Sequence, residues 1–229
     1  MRNHIKFIFV LVLIFLNLNK CKAQDTEEDR SKKRLERAIN YEDSLAKAMN
    51  WRPLKDGFSI SKYGDIGFKT SYIVSREAVT TYRTFFGCCN DGKSFKDVID
   101  IKTIKQIGGD WAWGGYFKDK NYIYHFWGNS GGGNFEIVNE ADYATFEIVN
   151  NCYGRDKNHI YDMRFGLMKE INQKEFKILP NGNTCIAKYM NIYYQGNNPI
   201  SMEDMNDTEI KKAIKELDRY ISKTKHLSN

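Results

Sequence analysis

The sequence predicts a β-rich α+β protein in which stacked β-hairpin repeats form a small array or meandering sheet, capped by an amphipathic helix at each end. Three observations predict this fold. An Asp-Lys-Asn motif followed by alternating aromatic and aliphatic residues occurs twice. Aromatic residues make up 14% of the chain and proline occurs only 3 times, so turns must rely on Gly, Asn and Asp. Charged segments with apolar residues at helical spacing flank the repeats.

The first 23 residues have the pattern of a secretory signal peptide. A positively charged start precedes an unbroken apolar run over residues 7–16, and the segment ends at Ala23. That run is too short for a transmembrane helix, which needs roughly 20 apolar residues. We expect an exported protein, periplasmic or extracellular. Cleavage after Ala23 is favoured over lipid attachment at Cys21, because Asn19 and Lys20 precede this cysteine instead of small residues.

Loss of this segment changes the charge of the protein. The formal charge falls from +6 to +2, since 31 basic residues then face 29 acidic ones. This balance argues against a nucleic-acid partner. No later segment approaches the length of a membrane span, so we expect no stable membrane insertion after cleavage.

Two clear copies of the repeat define the central region. In one, the motif occupies Asp119 to Tyr124 and the copy ends near residues 145–149; in the next, it occupies Asp156 to Tyr161 and the copy ends near residues 174–179. Asp-Lys-Asn predicts a turn, because Asp and Asn side chains hydrogen-bond to nearby backbone groups. The residues that follow alternate as in a β-strand. Each copy is therefore expected to be a strand-turn-strand unit with a closing segment.

Weaker copies flank the two clear ones. Residues 67–74 and 100–107 resemble an opening and a closing half, and residues 186–196 keep an Ile-Tyr pair without the Asp-Lys-Asn turn. One unit buries too little apolar surface alone, so copies stack, and terminal copies diverge because one side faces a cap or solvent. We assign residues 53–200 to a single β-repeat domain.

At these motifs the chain resembles the DKNYY family of exported bacterial proteins, named for a repeated Asp-Lys-Asn-Tyr-Tyr. The resemblance is strong at residues 116–124 and 153–161 and looser over the rest of residues 100–196. The chain departs from the family pattern where His159 replaces a Tyr. The family has no defined biochemical role. The resemblance therefore implies an architecture and an exported location rather than an activity.

Two helices are expected to cap the array. Residues 24–52 have apolar side chains at helical spacing and predict an N-terminal helical cap. Residues 201–229 predict a C-terminal helix and tail, with Asn206 or Asp207 as the helix cap and an apolar stripe over residues 210–221. We interpret this stripe as a lid on the array. Its polar face mixes acids with lysines, unlike the basic face of a membrane-binding helix.

Four cysteines remain after signal cleavage, which allows three disulfide connectivities. We favour a bridge between Cys152 and Cys185, because each precedes a repeat motif and stacking of adjacent copies brings them close. The adjacent pair Cys88 and Cys89 leaves a reactive-thiol function open, although no Cys-x-x-Cys motif accompanies it.

The densest aromatic cluster offers a candidate binding platform. Trp111, Trp113 and Trp127 are its best members, since exposed aromatic rings stack on sugars, with core packing as the alternative. A glycine-rich segment follows, and we interpret residues 126–135 as containing a flexible inserted loop. Inserted loops on one edge of a repeat array often form binding surfaces.

The sequence offers no catalytic residue, metal site or cofactor motif. His159 occupies the slot that Tyr122 fills in the preceding copy, and no His, Cys, Asp or Glu set has metal-ligand spacing. The glycine-rich segment lacks the Lys-Ser/Thr of a phosphate loop. We therefore predict a non-enzymatic protein that binds a protein or a cell-envelope glycan. An inhibitor or immunity-type protein against a secreted toxin, and a thiol-dependent redox protein, are the alternatives.

Overall fold

A computed structural model describes residues 27–87, 92–180 and 185–226. The predicted signal peptide and the Cys88-Cys89 pair lie outside the described residues. Within them the chain forms four antiparallel sheets of four strands each, and strands adjacent in a sheet are also consecutive in sequence. This arrangement confirms the predicted β-rich fold of hairpin repeats with helices.

The first two sheets share one hydrophobic core. The first consists of β1 (Arg52–Pro53), β2 (Phe58–Ile60), β3 (Ile66–Val74) and β4 (Glu77–Arg83). The second consists of β5 (Lys105–Asp110), β6 (Gly114–Lys118), β7 (Ile123–Trp127) and β8 (Asn134–Ile137). A short helix, α2 (Phe95–Val98), connects them. Their shared core is mainly aromatic and contains Phe58, Phe68, Phe95, Phe117, Tyr124, Phe126 and Phe135.

The third and fourth sheets are smaller. The third consists of β9 (Glu147–Ile148), β10 (Tyr153–Arg155), β11 (Ile160–Asp162) and β12 (Gly166–Leu167). The fourth consists of β13 (Phe176–Ile178), β14 (Ile186–Tyr189), β15 (Ile192–Gln195) and β16 (Asn198–Pro199). Each sheet packs on the next through a separate cluster of buried residues. The cluster between the second and third sheets contains Tyr116, Ile123, Phe146, Tyr161 and Met163.

The boundary between repeats differs from the predicted one. Residues 145–149 were expected to end a copy, but they supply β9, the first strand of the next sheet, and residues 174–179 supply β13 in the same way. A single turn explains the difference, because the N–H of Phe146 donates to the Asp142 carbonyl at 2.9 Å. This turn redirects the chain, so the strand after it pairs with the hairpin that follows.

The C-terminal helix, α3 (Thr208–His226), covers the fourth sheet. Asp207 caps it as predicted, because its Oδ1 accepts hydrogen bonds from the N–H groups of Glu209 (2.8 Å) and Ile210 (3.0 Å). A one-turn 3₁₀ helix, Asp204–Asn206, precedes it. The apolar stripe packs on the sheet, with Leu217 completely buried.

The N-terminal helix, α1 (residues 27–49), packs more loosely on the first sheet. Polar contacts hold it there: Glu42 accepts hydrogen bonds from the hydroxyls of Tyr72 (3.1 Å) and Thr81 (2.8 Å). Ile39 and Leu45 remain 40% and 42% exposed. Among the described helices, none combines the length and hydropathy that a membrane span requires.

Candidate functional site

A buried aspartate organises each repeated turn. Asp119 is 2% exposed, and its Oδ1 accepts hydrogen bonds from the N–H groups of Asn121 (2.7 Å) and Tyr122 (2.8 Å). Its Oδ2 accepts from the hydroxyl of Tyr124 (2.7 Å) and the N–H of Asp100 (2.8 Å). The carboxylate therefore joins the turn, the strand after it and the segment before the sheet.

The next copy repeats this network atom for atom. Asp156 Oδ1 accepts from the N–H groups of Asn158 and His159, both at 2.7 Å. Its Oδ2 accepts from the hydroxyl of Tyr161 (2.8 Å) and the N–H of Asp142 (2.7 Å). Each carboxylate thus accepts four internal hydrogen bonds. These aspartates are structural, as the predicted turn requires.

The lysine of each motif forms an ion pair that was not predicted from the sequence. Lys120 forms an ion pair with Asp100 (2.7 Å), and Lys157 forms the equivalent one with Asp142 (2.6 Å). The hydrogen bond from Lys157 lowers the pKa of Asp142 to about 2. A threonine contributes to each network. The Oγ1 of Thr103 accepts a hydrogen bond from the backbone N–H of Lys120, and the Oγ1 of Thr145 accepts one from the backbone N–H of Lys157. An Asp-x-x-Thr pattern precedes each Asp-Lys-Asn motif in the sequence, and it is the pattern from which these contacts could have been predicted.

His159 occupies the position of Tyr122, as the sequence predicts. Its ring centroid lies 6.1 Å from that of Tyr161 at an interplanar angle of 77°. The centroids of Tyr122 and Tyr124 are also 6.1 Å apart, at 70°. This equivalence supports a structural role for His159.

The three candidate tryptophans do not share one exposed surface. Trp111 belongs to the core, where its ring centroid lies 4.7 Å from Phe117 and its indole N–H donates to the Asp56 carbonyl at 3.1 Å. Trp127 is partly buried. Trp113 is 66% exposed, because it lies in the loop between β5 and β6. Of the three, Trp113 therefore offers the most accessible ring.

Trp113 forms an exposed patch with two residues of the loop between β11 and β12. The guanidinium of Arg164 lies 5.0 Å from the Trp113 ring centroid and 5.7 Å from that of Phe165. Phe165 is 59% exposed. We call these three residues the aromatic patch. It brings together a tryptophan that the sequence predicted as a binding residue and an Arg-Phe pair that no sequence pattern indicated.

A buried histidine lies close to this patch. His125 is 2% exposed and stacks between Tyr116 and Trp127, with centroid distances of 4.7 and 5.2 Å. Its Nε2 lies 3.2 Å from the Met163 carbonyl oxygen, which can only accept, so we assign the proton to Nε2. Its Nδ1 lies 3.9 Å from a carboxylate oxygen of Glu136. The ring thus ties the second sheet to the third.

His125 lines a small cleft between the second and third sheets. The cleft has a volume of about 300 Å³ and adjoins the aromatic patch, because Phe165 lines it too. Its polar lining includes Glu136, Glu140 and Lys169. Gly166 is required at its wall, since its φ is +77° and a Cβ there would lie 3.3 Å from His125 Nδ1.

Asp162 holds the loop that carries Arg164 and Phe165. It is 4% exposed, and its Oδ1 accepts hydrogen bonds from the N–H groups of Arg164 (2.8 Å) and Phe165 (2.7 Å). The hydroxyl of Tyr116 donates to its carbonyl at 3.0 Å. Burial raises the pKa of Asp162, although its two backbone hydrogen bonds oppose the shift. Asp162 therefore retains a free-energy cost of burial, whereas the hydrogen bonds to Asp156 outweigh that cost and lower its pKa.

The glycine-rich segment is not a flexible inserted loop. It is the hairpin connection between β7 and β8, and it pairs with β3: the N–H of Ile73 donates to the Ser130 carbonyl at 2.9 Å, and the Thr70 hydroxyl donates to the Gly132 carbonyl at 2.8 Å. Gly132 and Gly133 are buried. This pairing corrects the prediction of an inserted loop, and within the connection only residues 129–131 are exposed.

The predicted disulfide joins Cys152 and Cys185, whose Cα atoms are 5.2 Å apart. Cys152 directly precedes β10 of the third sheet, and Cys185 directly precedes β14 of the fourth. The presence of a disulfide is consistent with an oxidising compartment. Over the described ranges, no group of three or more His, Cys, Asp and Glu side chains has the geometry of a metal site.

The fold and the repeated turn define a β-hairpin repeat protein with helices packed on its first and last sheets. A family model described as the DKNYY family matches residues 68–198 and 116–226. These matches span more than half of the sequence, so the chain belongs to the DKNYY family. No curated protein and no solved structure matches the chain.

Proposed function

We propose that this chain is an exported, non-enzymatic protein that binds a cell-envelope glycan through the aromatic patch and the adjoining His125 cleft. Two features support export. The first 23 residues have the pattern of a signal peptide, and the disulfide suits an oxidising compartment.

The exposure of two large rings beside a polar cleft carries this proposal. Trp113 and Phe165 are 66% and 59% exposed, and Arg164 lies against both. Leaving such rings in water forgoes hydrophobic free energy, so a ring cluster of this kind is typical of a binding surface. Pyranose rings stack on aromatic faces, and the acids and lysine of the cleft offer hydrogen bonds to sugar hydroxyls.

The hydrogen-bonding pattern supports a binding role over catalysis. Asp119 and Asp156 each accept four internal hydrogen bonds, which leaves them poorly placed as acids or bases. His125 donates from Nε2 to a backbone carbonyl. Its Nδ1 has Glu136 at 3.9 Å, no serine, threonine or cysteine lines this cleft in the described residues, and the Tyr116 hydroxyl donates to the Asp162 carbonyl.

Co-sedimentation with purified peptidoglycan sacculi tests the proposal. We expect the wild-type protein to sediment with sacculi and Trp113→Ala to bind at least about tenfold more weakly, because a stacked aromatic ring is a typical binding hot spot. Tyr41→Ala is the matched control, since Tyr41 is 65% exposed on α1 and lies outside the patch. It should bind like the wild type.

Three results would contradict the proposal. Equal sedimentation of Trp113→Ala and wild type would exclude the patch as the site. Release of soluble sugar fragments from the sacculi would show an enzyme. A stoichiometric complex with one secreted protein, in the absence of any glycan binding, would favour the inhibitor alternative.

A further inference from the structure

A cleft of about 580 Å³ lies between the third sheet, the fourth sheet and the end of α3, apart from the aromatic patch. Residues 147–149 form one wall and residues 176–178 form another. Tyr220 and Ile221 of α3 complete it. The proposed glycan site uses none of these residues.

The lining shows that this cleft runs along strand edges. Neighbouring residues in a strand point to opposite faces of its sheet, so a cavity on one face touches only alternate residues. Here three consecutive residues line the cleft on each side. The sheet order agrees, because β9 and β13 are both edge strands. An edge strand presents N–H and C=O groups on the side that has no neighbouring strand.

The two edges are held at a fixed separation. The side-chain amide of Asn150, just after β9, donates to the carbonyl of Leu179, just after β13, at 3.1 Å. The Cys152–Cys185 disulfide joins the same two sheets. The cleft is therefore preorganised, which lowers the entropic cost of binding.

The charges around the cleft are unbalanced. Arg155 is neutralised by Glu147 at 2.6 Å. Lys174 and Lys177 also line the cleft, and neither forms an ion pair with any described carboxylate. The Lys177 ammonium donates to the Lys174 carbonyl at 2.8 Å instead. The rim thus carries two uncompensated positive charges.

We propose that this cleft binds an extended acidic segment of another protein, which adds a strand to the free edge of β13. Backbone hydrogen bonds to the edge supply affinity, as in other cases of strand addition. Acidic side chains on one face of the segment pair with Lys174 and Lys177, and apolar side chains on the other contact Ile148 and Ile221. An anionic lipid would match the charges and leave the strand edges unused.

The probe is an alternating glutamate-valine octapeptide, labelled for fluorescence anisotropy and titrated into the full-length protein. We expect saturable binding, with hydrogen-exchange protection at Ile178, because the N–H of Phe176 already donates to the Asn172 carbonyl at 3.2 Å. The double variant Lys174→Glu/Lys177→Glu should bind at least about tenfold more weakly, because the paired charges become repulsive. Lys32→Glu/Lys33→Glu is the matched control, since it makes the same charge change on exposed residues of α1. It should bind like the wild type.

Modified peptides distinguish strand addition from binding by side chains alone. One version is N-methylated at every valine and another at every glutamate, so that each blocks one edge of the peptide strand. Strand addition requires that one of the two loses binding by at least about tenfold. The proposal is wrong if both bind like the parent, if the parent does not bind, or if protection appears elsewhere. It is also wrong if laurate, titrated as an anionic lipid, protects the backbone amides of β13 and the peptide does not.

Discussion

The carboxylate of Asp156 accepts a 2.8 Å hydrogen bond from the hydroxyl of Tyr161, and the pair lies within the same turn-strand unit. The distance between Asp119 and Tyr124 in the preceding copy is 2.7 Å. In each copy, one carboxylate oxygen accepts hydrogen bonds from backbone N–H groups of the turn, and the other accepts one from the tyrosine hydroxyl of the following strand. The repeated motif is therefore a device that couples turn geometry to strand position.

We predict that Asp156→Asn destabilises the protein. The amide nitrogen that replaces Oδ2 cannot accept a hydrogen bond, so the N–H of Asp142 loses its acceptor, whereas the Tyr161 hydroxyl can turn to accept from the amide. The expected loss is about 1–3 kcal/mol, the usual cost of a buried unsatisfied group. Urea denaturation measures it, with exposed Asp43→Asn as a control that should change stability by less than about 0.5 kcal/mol. Equal stability of the two variants would show that the network is dispensable.

We also predict that protonation of Asp156 in acid lowers the stability of the protein. Burial opposes ionisation of Asp156, but the hydrogen bonds from the N–H groups of Asp142, Asn158 and His159 and from the Tyr161 hydroxyl together outweigh it and lower its pKa. Its contribution is fully present above the unfolded-state pKa of about 3.9 and is lost as the pH falls through the lower folded-state pKa. The penalty of Asp156→Asn should therefore shrink over that range. A pH-independent penalty would contradict this assignment.

We predict the opposite behaviour for Asp162→Asn. Burial raises the pKa of Asp162, so its ionised form destabilises the fold at neutral pH. Asparagine keeps the oxygen that accepts from Arg164 and Phe165, so we expect a gain in stability at pH 7. This gain should disappear below about pH 4, where the unfolded carboxyl is also protonated. Thermal unfolding at both pH values checks it, and a loss of stability at pH 7 would contradict it.

Reduction of the disulfide should destabilise the last two sheets. Cys152 and Cys185 are 33 residues apart, and a loop of that length corresponds to about 3–4 kcal/mol in the chain-entropy model. The double variant Cys152→Ser/Cys185→Ser should show the same decrease without added reductant. Guanidinium denaturation with and without dithiothreitol measures both. An unchanged midpoint would mean that stacking alone holds these sheets together.

We predict that Trp111→Ala and Trp113→Ala differ in their effect on the free energy of unfolding. Trp111→Ala removes a ring from the first core and should cost about 3–5 kcal/mol. Trp113→Ala removes an exposed ring and should change stability by less than about 0.5 kcal/mol. Thermal denaturation of the two variants checks this difference. Similar losses would show that Trp113 also serves the fold, and its effect on binding could then not be assigned to the patch.

Much of the fold was predictable because the repeat carries its own local chemistry. Asp, Asn and alternating aromatic residues specify a turn and a strand through contacts that span a few residues. The cap at Asp207 followed from the same local logic, and the Cys152–Cys185 bridge followed from the stacking of adjacent copies. The repeat boundary was wrong because the turn from Asp142 to Phe146 decides which sheet β9 joins, and strand pairing is not a local property.

The sequence by itself determined the repeat, its turns, the disulfide and the two terminal helices, since each depends on residues close together in the chain or on copies at a regular spacing. Only the tertiary structure decided which aromatic side chains are exposed to solvent. Stacking of the sheets packed Trp111 against the first core, placed Arg164 beside Trp113 and left the edges of β9 and β13 facing one cleft. These relationships join residues of different sheets, so they arise from packing, which no local pattern encodes.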